Sequence, residues 1–75
     1  MGGHTVTIRV LAPPTYAGMT KTVKTTARAE DRARWVALAT GSSEIQQRDG
    51  RSEDWQTVAR FEKTERGRVE RRVGR

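Results

Sequence analysis

The chain has 75 residues, 33 % hydrophobic and 32 % charged, which makes one small domain, residues 1–75, that buries only about 60 % of the surface its unfolded form exposes. The absence of cysteine excludes disulfides, thiolate zinc sites and a cysteine nucleophile. No stretch approaches the roughly 18 apolar residues of a membrane span, and Met1-Gly2-Gly3-His4 does not open a targeting signal, so a soluble, cytoplasmic protein is expected.

Thr5 to Leu11 alternates, with Val6, Ile8 and Val10 on one face and Thr5, Thr7 and Arg9 on the other, the pattern of a half-buried strand. Ala12-Pro13-Pro14-Thr15-Tyr16-Ala17-Gly18 ends it, because proline donates nothing to a ladder and glycine supplies turn conformations. Thr20 to Thr26 is rich in β-branched residues but has one apolar side chain, Val23. That composition predicts an edge strand paired with the first, its lysines discouraging sheet-to-sheet contact. The edge 20–26 is open to a partner strand, including that of a second copy in a homodimer.

From Ala27 to Thr40 alanine and arginine favour helix, and Gly41 follows its end, although Trp35 to Ala39 taken alone reads equally as a buried strand. Ala29, Ala33, Val36 and Ala37 fall on one face, with Trp35 and Leu38 alongside. Trp35 is expected in the core, since the aromatic residues are only Tyr16, Trp35, Trp55 and Phe61 and so thin a core has few other large side chains to bury. Gly41-Ser42-Ser43 reads as a break, Glu44 to Arg48 as a short polar piece anchored by Ile45, and Asp49-Gly50 as a turn that Arg51 to Asp54 lengthens into a loop.

Two readings compete for residues 55–63. In a strand Trp55, Thr57, Ala59 and Phe61 share one face; in a helix Ser52 is the N-cap and Trp55, Val58, Ala59 and Phe61 span one side. Arg66-Gly67 followed by alternating Val69, Arg71 and Val73 favours the strand, as the first arm of a hairpin. The expected fold is therefore α+β in ββαββ order, an N-terminal hairpin, one helix and a C-terminal hairpin, with residues 1–4 and 74–75 frayed. That order is similar to small ubiquitin-like sandwiches, a likeness of element order that implies nothing about function.

No residue cluster assembles chemistry. His4, the single histidine, has no acid near it with which to form a base and its orienting partner. Glu30-Asp31 and Glu53-Asp54 stand where a helix or loop begins, which accounts for acids without a metal. Ser42 and Ser43 beside Gly41 lack the lysine and further glycines of a phosphate-cradling loop. Neither an enzyme nor a metal or cofactor is expected.

Charge is the informative signal. The net charge is +6; residues 1–28 carry four bases and no acid, residues 29–50 three bases and four acids, residues 51–75 eight bases and five acids. Such an excess suits an acidic partner, nucleic acid being the commonest. In the C-terminal hairpin Arg60, Lys63, Arg66, Arg68, Arg71, Arg72 and Arg75 are the expected contacts to DNA or RNA, backbone contacts without base readout, since guanidinium matches phosphate oxygens two at a time. Trp55 or Phe61 would stack on bases if exposed. Glu62, Glu65 and Glu70 interleave with these arginines. If they neutralise the face, the alternative is an assembly subunit, viral or of another multiprotein complex, that docks on an acidic protein.

Overall fold

The computed structural model describes residues 6–50 and 52–72. The elements are β1 (Val6–Leu11), a 3₁₀ segment (Pro14–Met19), β2 (Lys21–Val23), α1 (Thr26–Thr40), β3 (Ser42–Asp49), β4 (Gln56–Lys63) and β5 (Val69–Arg72). All five strands form one antiparallel sheet in the order β2-β1-β3-β4-β5, with α1 packed on one face. The α+β class and both hairpins agree with the sequence reading, and residues 55–63 are strand rather than helix from Gln56 on. The expected ββαββ order is corrected to ββαβββ.

The added strand is the central one. β3 occupies the stretch read as a break and a short polar piece, and it pairs with β1 through Val10↔Ile45 and with β4 through Ser43↔Phe61. Its polarity is what disguised it. Only Ser43 and Ile45 reach the core, and the buried Ser43 hydroxyl donates to the Ala33 carbonyl at 2.6 Å, so even a core position carries a polar residue at little cost. Glu44, Gln46 and Arg48 face the side of the sheet away from the helix, where no side chain is fully buried.

Two short devices bound the helix. Thr25 Oγ1 accepts the Arg28 backbone N–H at 3.1 Å, the usual N-cap bond. Gly41, at φ 108°, turns the chain through the left-handed region while its N–H donates to the Ala37 carbonyl at 2.7 Å. The cap also shortens the predicted edge strand: Thr25 and Thr26 belong to the helix start, leaving Lys21–Val23 in β2.

The core consists of Val10, Ala12, Ala29, Ala33, Val36, Ala37, Ile45, Ala59 and Phe61, with Ile8, Met19, Val23 and Val69 packed against it. Ala29, Ala33, Val36 and Ala37 are buried as the spacing predicts. Trp35 is not: it is 53 % exposed, and Leu38 50 %. At about 100° per residue Trp35 lies nearly opposite Ala33 on the helix, and an alanine stripe sets the backbone too close to the sheet to admit an indole.

A bulge corrects a second expectation. Ile45 pairs with Ala59 but Gln46 pairs with Thr57, so Val58 is an extra residue in β4. One extra residue reverses the facing of everything before it. Ala59 and Phe61 enter the core while Thr57 and Trp55 lie on the open side, so the four do not share a face. The tail valine Val69 packs on the core as expected; Val73 and the expected frayed ends fall outside the described residues.

Candidate nucleic-acid interface

Alternation within the last two strands scatters the arginines that the sequence pointed to. Arg60 and Arg72 pair across β4 and β5 on the open face, whereas Arg71 pairs with Phe61 and so stands on the helix side. Each has a carboxylate: Arg60 Nε lies 3.9 Å from Glu44, Arg72 Nε 3.1 Å from Glu62, and Arg71 Nη1 donates to Glu30 at 3.2 Å. These pairs are half exposed and contribute under about 1 kcal/mol each to stability, but they offset the charge that would attract a phosphate. Lys63 closes β4, its backbone N–H bonded to the Gly41 carbonyl at 2.9 Å. Arg66 and Arg68 project from the β4–β5 turn, where both backbone N–H groups donate to Thr64 Oγ1. The turn leaves a shallow cleft lined by Thr64, Glu65, Arg66, Arg68 and Glu70, three cleft residues other than arginine being a threonine and two acids. Arg75 lies outside the described residues. These residues do not form one uninterrupted positive face.

The open sheet face is also balanced. Arg9 Nε donates to Gln46 at 2.8 Å, Gln46 to Thr57 at 3.3 Å and Thr57 to Glu44 at 2.8 Å, a chain that ends on Arg60. Trp55 covers it at one end, its ring 3.9 Å from the Arg9 guanidinium carbon and 4.8 Å from that of Arg48. Arg48 Nε is shut off from water with no hydrogen-bond partner among the described residues, and the indole beside it compensates part of that cost. Trp55 is thus engaged in holding cations, and Phe61, fully buried, is not available to stack on a base.

Four cations and one acid meet elsewhere, in a cleft of about 670 Å³ between β2 and the first half of α1, lined by Lys21, Thr22, Val23, Lys24, Arg28, Asp31 and Arg32. Lys21 pairs with Val10, whose side chain is in the core, so the lysine emerges at the sheet edge on the helix side. Arg28 and Arg32, one turn apart, form the opposite wall. Arg32 is fixed: its Nη2 donates to the Met19 carbonyl at 3.2 Å and its guanidinium lies 5.1 Å from the Trp35 ring. No ion pair engages any of the four cations among the described residues, and Asp31 is the one acid of the cleft. The sequence carries a trace of this site in the acid-free +4 of residues 1–28, but lysines on an edge strand are equally explained as guards against sheet-to-sheet contact.

Among the described residues no group of three or more His, Cys, Asp or Glu side chains could hold a metal ion, and no helix is long and apolar enough to cross a membrane. Comparison with protein-family models, with curated proteins and with solved structures finds no match.

Proposed function

We propose that the chain is a small, basic, non-enzymatic accessory module that holds DNA or RNA by its phosphates, with no base readout. The observation that carries this reading is the β2–α1 cleft, where Lys21, Lys24, Arg28 and Arg32 stand free of carboxylate partners among the described residues, against the single Asp31. Phosphate binding needs cations that are not already neutralised and are held where a backbone can run past them. Arg66 and Arg68, with Lys63, supply a secondary contact at the far edge of the sheet; Arg60, Arg71 and Arg72 contribute less, each sharing its charge with an acid.

A second reading, an assembly subunit docking on an acidic protein, is favoured by one feature, the outer edge of β2, which pairs with no strand among the described residues. Titration of random single- and double-stranded DNA and RNA at two salt concentrations separates the two. Four phosphate contacts give a slope of roughly −2.8 for single strands and −3.6 for duplex, or about 50- and 150-fold weaker binding for a fourfold rise in salt. Absence of binding at low salt would remove the nucleic-acid reading and leave the acidic protein.

A further inference from the structure

We infer that the β2–α1 cleft takes a single strand, its phosphates on Lys21, Lys24, Arg28 and Arg32 and a base stacked on Trp35. The inference rests on the phosphate-binding reading above and adds the form of the ligand. Arg28, Arg32 and Trp35 stand at i, i+4 and i+7, one stripe along the flank of α1, so the indole continues the line of cations that forms the cleft wall.

Trp35 is 53 % exposed in a chain that has only two tryptophans. Among the described residues its one ring contact to a cation is with Arg32, which the Met19 carbonyl holds over the ring, whereas Trp55 carries two such cations, Arg9 and Arg48. A positive groove with a half-exposed indole just beyond its lining is an arrangement that suits unpaired nucleotides, because every base has a face to stack while its phosphates follow the charge. A duplex offers this cleft less. Its base faces are covered by its own stacking, and an indole on a helix flank meets only edges and backbone. Asp31, one turn before Trp35, fits the same division: a carboxylate repels phosphate but accepts from the N–H groups of bases, the ring N–H of thymine included, so it belongs on the base side of the strand.

Fluorescence tests the assignment. Trp55→Phe leaves Trp35 as the one indole, and at low salt its emission should be quenched by oligodeoxythymidine and not by a short duplex of the same charge. Trp35→Leu should weaken single-strand binding by roughly 5- to 150-fold, more than it weakens duplex binding, with the salt slope for single strands retained. If Trp55→Phe does not fold, the difference in quenching between the parent and Trp35→Leu gives the same readout. Equal affinity for single strand and duplex without quenching would overturn this inference and leave phosphate binding in place, whereas no binding of either ligand by the parent would overturn both. An emission change that follows protein concentration alone would mark Trp35 as a contact between copies, and would also overturn it.

Discussion

Phe61 and Trp35 show how differently two large aromatic side chains are used in one thin core. Phe61 is fully buried between the sheet and α1, with the Arg34 guanidinium 5.1 Å from its ring, and among the described residues Val10 and Val36 are the other largest side chains shut off from solvent. Truncating it removes transfer energy and leaves a cavity in a sheet that cannot collapse onto it. Phe61→Ala should therefore cost about 3–5 kcal/mol in urea melts, enough to unfold much of so small a domain. Trp35→Ala should cost about 1 kcal/mol, less than Phe61→Ala, since about half of the residue is already open to water. Equal losses would mean that Trp35 is packed after all. Gly41 belongs to the same scale: at φ 108° any side chain is strained although a Cβ would meet open space, so Gly41→Ala should destabilise by roughly 1–2 kcal/mol through the backbone alone. Thermal melts would read this as a fall of several degrees.

At the scale of elements, what was legible followed simple periodicity and what was not broke it. β1 alternates without interruption, and the alanine stripe of α1 repeats at helical spacing, so both could be read directly. β3 could not, because a central strand with one open face and a hydrogen-bonded serine in the core has a single apolar residue, Ile45, to announce it. The facing of β4 was hidden by Val58, since a bulge changes parity and residue types do not reveal it. Deleting Val58 should leave a regular ladder in which Thr57 still faces Gln46 and Ala59 still faces Ile45. We expect a native circular dichroism spectrum and a loss of under about 1 kcal/mol, which is the cost of a substitution at an exposed, weakly packed site; an unfolded product would mean that the bulge sets the twist of the whole sheet. β2 is the remaining exposed element. Its outer amides should exchange rapidly in dilute solution, and protection of both edges of Lys21–Val23 there would show the edge already covered, closing the route to a partner strand or a homodimer.

For the whole molecule, a net charge of +6 suits an acidic partner but says nothing of where one would bind. The C-terminal third has the most arginines, and sequence counting therefore favours it. Folding distributes those arginines over two faces of the sheet and brings Glu30 and Glu44, distant in sequence, against Arg71 and Arg60. Conversely, Lys21 opens β2, Lys24 follows its last residue, and Arg28 and Arg32 come from the helix. Only the crossover from β2 into α1 makes one site of them. The two basic regions lie at opposite edges of the sheet, which makes them separable by mutation. Lys24→Gln with Arg28→Gln removes two unpaired cations and should flatten the salt dependence of nucleic-acid binding by about 1.4 log units per log unit for single strands, or 1.8 for duplex. Arg68→Gln with Arg72→Gln removes the same formal charge but only one cation that no ion pair engages among the described residues, because Arg72 already faces Glu62 at 3.1 Å. Its effect on the slope should stay below about 1 unit. Both variants alter exposed side chains and should keep the parent's melting behaviour. A larger change in slope from the Arg68 and Arg72 pair than from the Lys24 and Arg28 pair would move the interface to the C-terminal hairpin.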